Sequence, residues 1–269
     1  MSSGSEAPGG VRAKLDWATE KHNEMVRVFE DWLKPGRGDE RPCGIRWRAA
    51  DRPAGLLVAF FIVDQPMPEQ MTMLAADLVH NTRTALDHVL ARLKAALGGD
   101  PGQGSFPTRQ TEDHWQQHVV NARRGPLDGL PPDAIDLIYR EQPLHRPTPA
   151  EDPLVILNKL DNTDKHEELN PAFVYPDVAR GVDLIEVLDR TRLKRAENLW
   201  LAGQELRDGT PLARLIISGD PQRVVRARDD ARLGFATGPI DGARTTYTGM
   251  IDRVRDIAVN AARLIDSRT

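Results

Sequence analysis

The chain has 269 residues, 40% hydrophobic and 28% charged, with 36 Lys and Arg against 40 Asp and Glu for a formal net charge of −4. This composition suits a globular chain of one large or two small domains, and it argues against a disordered tail or a generally basic nucleic-acid binder. No run approaches the roughly 18 apolar residues of a membrane span, the first ten residues lack the basic start and apolar stretch of a secretory signal, and the single cysteine, Cys43, excludes an internal disulfide or a multi-cysteine zinc site. The expected location is the cytoplasm, with no membrane partner.

Residues 1–10 are rich in Ser, Gly and Pro and read as a flexible tail. A helix is predicted over Val11–Leu33, where Val11, Leu15, Ala18, His22, Met25, Phe29 and Leu33 recur at three- and four-residue spacing before Pro35 and Gly36. His22 falls on that core stripe, where a buried neutral histidine is the ordinary expectation. Gly44–Ala49 and Leu56–Val63 read as a hairpin with a longer loop. The second strand, LLVAFFIV, is apolar at every position, which predicts cover on both faces.

The longest helical pattern follows, from near Glu69 to Leu97, with Leu74, Leu78, Ala85, Val89 and Leu93 as its stripe and Gly98-Gly99 as its stop. Phe106-Pro107 opens a loop, and Thr111 is placed to cap a short helix through Val120. Residues 125–153 hold many prolines and are expected to wrap a surface as short elements, one of them a helix over Pro131–Glu141. Leu154–Glu168 is helical in its first half. Extended segments come next at Ala172–Tyr175, Asp183–Leu188, Leu193–Leu201, Leu212–Ser218 and Arg232–Thr237, and a last helix spans Gly242–Asp266. The later strands are expected to form one antiparallel sheet that the early hairpin joins.

The resulting expectation is an α+β fold: mainly a bundle of long amphipathic helices with a small antiparallel sheet packed against it. Residues 11–269 form a single domain in this reading, with a Pro-rich covering segment at 125–153 and a strand-rich insertion at 172–240. A two-domain division near residue 170 is the alternative.

The polar residues of the central helix are the first candidate site. At about 100° per residue, Asp77, Asn81, Thr84 and His88 share one face, while Arg83 and Asp87 can pair on an adjoining one. Arg83 and His88 diverge by about 140°. The plain expectation is a polar seam between helices. A second cluster, Asn158, Asp161, Asn162, Asp164, Lys165 and His166, lies at the end of the 154–168 helix and lacks the glycine and ligand spacing of a calcium loop. A first-row metal shell from His22, His88 and His166 with Asp87 or Asp164 is sensible chemistry, but linear spacing does not support it. His114 and His118 are four apart without the glutamate of an H-E-x-x-H site. Dinucleotide, P-loop and nucleophile-elbow motifs are absent, so no cofactor, metal or DNA motif is assigned.

Three signatures occur in order: Asn81-x-Arg83-x-x-Leu86-Asp87-His88, then Phe106-Pro107, then Asp164-Lys165-His166. Together they resemble a large family of uncharacterised bacterial and phage proteins with N-x-R-x-x-L-D-H, FP and D-K-H segments. A broader resemblance is to HEPN domains, helical bundles that are often dimeric and include metal-independent ribonucleases with an arginine and a histidine four to six residues apart. Arg83 and His88 match that spacing, whereas Thr84 stands where those domains commonly carry Asn, Asp or His.

Two functions follow. The first is a non-catalytic structural or binding protein in which Asp77, His22, Asn158, Asp164, Lys165 and His166 extend the polar interhelical network, with self-association as a candidate property. The alternative implied by the HEPN resemblance is a ribonuclease, with Arg83 on the scissile phosphate, His88 as general acid or base, and Asp87 and Asn81 beside them. RNA is a partner only under that alternative.

Overall fold

The computed structural model describes residues 9–35, 41–50, 55–100, 104–120, 125–164, 173–176, 180–201, 206–228, 233–236 and 245–268. The chain divides into two compact units, one of Met1–Val26, Gln70–Pro171 and Pro239–Thr269, the other of Arg27–Glu69 and Ala172–Gly238. Together they make an α+β fold with a four-stranded antiparallel sheet. Among the described residues no helix is long and apolar enough to cross a membrane.

The first unit is helical. It contains the start of α1 (Gly9–Leu33), then α2 (Gln70–Leu97), α3 (Glu112–Trp115), α4 (Pro132–Arg140), α5 (Pro153–Asp164) and α7 (Tyr247–Asp266). The stripe of α2 is buried as its spacing requires: Leu78, Ala85, Leu86 and Leu90 are fully enclosed, and Leu74, Val89 and Leu93 nearly so. Helices α2, α5 and α7 pack on one another, and α4 packs on α7. Burying such leucines contributes about 1.5–3 kcal/mol each, which outweighs any helix propensity.

The ends of these helices are fixed by local chemistry. Thr111 Oγ1 accepts the His114 amide at 3.3 Å and opens α3, which continues into a wider turn over Gln116–Val120. Pro131 and Pro132 start α4, Asp152 Oδ1 accepts the Leu154 amide at 2.8 Å at the start of α5, and Thr246 Oγ1 accepts the Gly249 amide at 3.0 Å to begin α7. The helix expected from Gly242 therefore begins at Tyr247, where a side chain can take an unpaired amide. Residue 242 itself lies outside the described residues. The proline-rich segment becomes α4 and two single 3₁₀ turns, Pro143–His145 and Pro149–Glu151.

The second unit carries the strands: β1 (Cys43–Ala50), β2 (Leu56–Val63), β3 (Phe173–Pro176), β4 (Ile185–Val187), β5 (Leu193–Asn198), β6 (Thr210–Ile217), β7 (Val225–Ala227) and β8 (Leu233–Ala236), with the helical turn α6 (Pro221–Val224). The hairpin does join two later strands, in the order β1-β2-β6-β5, all antiparallel. The remaining strands correct the expectation of one sheet, because β3 pairs with β8 and β4 with β7 as separate ladders. These strands are three or four residues long. Pro176 ends β3 without an amide to donate, a 3₁₀ turn occupies Gly181–Leu184, and α6 interrupts the chain before β7. The Glu186 carboxylate takes Arg226 Nε across the short β4–β7 ladder at 2.6 Å.

Strand β2 also departs from the expectation of full cover. Leu57, Ala59 and Phe61 are buried, but Leu56, Val58, Phe60 and Ile62 are only partly so. The Arg48 guanidinium lies 5.1 Å from the Phe60 ring centroid, so part of that apolar face is covered by an arginine of β1.

Candidate functional site

The two polar faces of α2 have separate fates. Asn81 is buried, donates from Nδ2 to the Asp77 carbonyl at 2.7 Å and accepts Lys14 Nζ at 3.0 Å. A methyl group on Gly10 would sit 3.5 Å from His88 Nδ1. Gln70 Nε2 reaches Glu24 at 3.3 Å. These three points show the start of α1 running antiparallel to α2 along this face. Asp77 and His88 are exposed, and Thr84 is half-buried. Of these four residues, Asn81 is the one that is buried and bonded to α1.

On the other face, Arg83 is only 7% exposed. Its Nη2 donates to Asp87 Oδ1 at 2.9 Å and to the Phe106 carbonyl at 2.9 Å, while the Phe106 amide donates to the same Asp87 oxygen at 2.8 Å. Arginine, aspartate and the backbone amide and carbonyl of one loop residue thus close a ring of charge-assisted bonds. Phe106 is itself buried, so the loop is held by apolar packing and by this ring together. Nη1 of Arg83 lies 3.5 Å from Thr108 Oγ1.

Beside the ring is a pocket of about 390 Å³, lined among others by Arg83, Ser105, Thr108, Arg109 and Asn158. The structure therefore brings together Arg83 and Asp87 of the first cluster, and Arg83 with Asn158 of the second around the pocket. His88 is not on that wall, as the angular separation from Arg83 requires. His22 is half-buried further along α1, and burial holds its imidazole below the usual pKa, partly offset by a hydrogen bond with Asn23. His80 Nδ1 lies 3.6 Å from the buried Asp161 carboxylate, linking α2 to α5. Lys165 and His166 lie outside the described residues, and the Asp164 side chain is likewise not described. Among the described residues no group of three or more His, Cys, Asp or Glu is placed to hold a metal ion.

Several polar partners carried no sequence signal. Gln142 is fully buried; its Oε1 accepts the Arg109 amide at 2.9 Å and its Nε2 donates to the Ile138 carbonyl at 2.9 Å. Arg109 is thereby fixed through its backbone, yet its side-chain Nε is buried with no partner among the described residues. Elsewhere in the same unit, Arg253 binds Glu141 through Oε2 at 2.6 Å and the backbone carbonyl at 2.7 Å, and Asn260 takes the other carboxylate oxygen at 2.9 Å. A count of prolines marks residues 125–153 as a wrapping segment, but only the fold reveals that Glu141 ties it to α7. Comparison of the chain with models of known families, with curated proteins and with solved structures finds no match in any of the three.

Proposed function

We propose that this chain is a non-catalytic binding protein, in which a polar lock on α2 holds the 104–109 loop and shapes the pocket beside it. The observation that carries this reading is the shared Asp87 oxygen, which accepts both Arg83 and the Phe106 amide. The Nη2 hydrogens of Arg83 are spent on protein acceptors, Asp87 and the Phe106 carbonyl. Such an arrangement favours a fixed wall over an arginine free to follow charge developing on a reacting phosphate. Residence in the cytoplasm and self-association belong to the same proposal, and light scattering of the purified chain checks the latter.

The ribonuclease alternative requires Arg83 and His88 to act on one phosphodiester. Arg83 is buried in the lock, while His88 is exposed beside Gly10 and does not line the pocket. The test is incubation of labelled RNA with the full chain in chelator. The expected result is intact RNA. Cleavage by the wild type that disappears in His88→Ala but persists in His114→Ala would overturn the binding-protein reading.

A further inference from the structure

We infer that the pocket beside the Arg83–Asp87 lock binds the phosphate group of a small molecule. This rests on the binding-protein reading and gives it a ligand class.

The pocket wall carries two arginines, Arg83 and Arg109, and no Asp or Glu is among its lining residues. Ser105 and Thr108 add hydroxyls, and Asn158 adds a carboxamide from α5. Asp87 offsets part of the Arg83 charge, but nothing described offsets Arg109 at its Nε. A buried, unpartnered guanidinium N–H is unusual, because leaving a charged donor unsatisfied is expensive.

The backbone around Arg109 supports phosphate binding. Its amide donates to Gln142 and its carbonyl accepts the Leu144 amide at 3.1 Å, so both sides of the residue are pinned before any ligand arrives. Arg83 is likewise held by the lock, with Nη1 toward Thr108. The Arg109 guanidinium, the Nη1 end of Arg83, two hydroxyls and a carboxamide outnumber what the two oxygens of a carboxylate can accept. They suit a tetrahedral anion with three or four oxygens. The volume, about 390 Å³, exceeds a bare phosphate and falls in the range of small-molecule sites, so the phosphate is one end of a larger ligand.

Calorimetric titration of the full chain with inorganic phosphate and with pyrophosphate, up to about 10 mM, tests this, with acetate and citrate as carboxylate controls. Phosphate and pyrophosphate are expected to bind, and Arg109→Gln to weaken both by about tenfold or more. Asn158→Ala is expected to weaken them less, and Arg255→Gln, on the exposed side of α7, to leave them unchanged. Melting curves establish that each variant is folded, and Asn158→Ala carries the test if Arg109→Gln is not. No binding of either phosphate species, equal binding of acetate or citrate, or unchanged affinity in the folded pocket variants would overturn the proposal. The RNA assay separates the two levels: intact RNA with no phosphate binding removes only the ligand class, whereas His88-dependent cleavage removes the binding-protein reading itself.

Discussion

Asp87 and Phe106 are joined by a 2.8 Å hydrogen bond from the loop amide to Oδ1, the same oxygen that accepts Arg83. Removing that carboxylate therefore costs two bonds at once and leaves Arg83, almost fully buried, facing only the Phe106 carbonyl and Thr108 among the described residues. A fully buried pair costs about 3–5 kcal/mol to break; because the Asp87 side chain is 32% exposed, about 2 kcal/mol is expected for Asp87→Ala. That is a fall in melting temperature of roughly 4–8 °C. Asp87→Asn keeps an oxygen for the Phe106 amide and should lose less. A change below about 1 °C in Asp87→Ala, where surface substitutions fall, would show that the lock does not hold the loop.

Arg253 and Glu141 form the more enclosed pair, at 11% and 13% side-chain exposure. The acidic neighbourhood extends to Asp152, whose Oδ2 lies 3.9 Å from Arg253 Nε. Arg253→Ala removes a cation that Glu141 and Asp152 share but leaves Glu141 with Asn260 and Asp152 with Arg146 at 3.3 Å, so a loss of about 2 kcal/mol is expected, or roughly 4–8 °C in melting temperature. Arg255→Ala, two residues on and exposed, should stay within about 0.5 kcal/mol of wild type. Equal effects of the two substitutions in thermal denaturation would contradict the assignment.

The helical half of this molecule was legible because its signal is periodic. Leu74, Leu78, Ala85, Val89 and Leu93 mark a face at 3.6-residue spacing, and the same geometry separates Asn81 and His88 from Arg83 and Asp87 without any coordinates. Backbone partners carry no such mark. Nothing in the letters Phe106-Pro107 says that the amide and carbonyl of Phe106 will face Asp87 and Arg83. Strand pairing fails for a related reason, since Leu56 lies opposite Ile216 across more than half the chain, and alternation within each strand is silent about its partner. Lys94 shows the limit of reading charge as exposure. It sits in the last turn of α2, where a lysine is ordinarily solvated, yet it is 1% exposed and Gly99 packs beside its stem.

His22 gives the chain a pH response of definite sign. Burial lowers its folded pKa from the ordinary value of about 6.5, so near pH 6 the unfolded chain binds more protons than the folded one. Its contribution is fully present above the unfolded pKa and is lost as pH falls through the folded pKa. Melting temperatures of wild type should therefore drop more steeply between about pH 7 and 5 than those of His22→Gln, which has no imidazole to charge. Parallel curves for the two proteins would exclude His22 as a source of acid sensitivity.

Gly55 is the residue on which the early hairpin turns. Its φ is +81°, and a Cβ there would overlap the Ile217 carbonyl oxygen, while the Gly55 carbonyl accepts the Ile217 amide at 2.9 Å. Alanine at this position must both adopt the left-handed region and push β6 away from β2. Together these cost about 2–4 kcal/mol. The sheet contains its own reporter, because Cys43 pairs with Val63 at the far end of β1 and β2. The thiol is 4% exposed, and burial, with Asp64 nearby, pushes its pKa up to about 11. A thiol reagent at neutral pH should thus modify native protein slowly, through transient opening of the sheet. In Gly55→Ala the opening is more populated, and labelling should accelerate by about tenfold or more, since each 1.4 kcal/mol is a factor of ten. Unchanged labelling of Cys43 in a variant with a lowered melting temperature would place the strain outside the β1–β2 ladder.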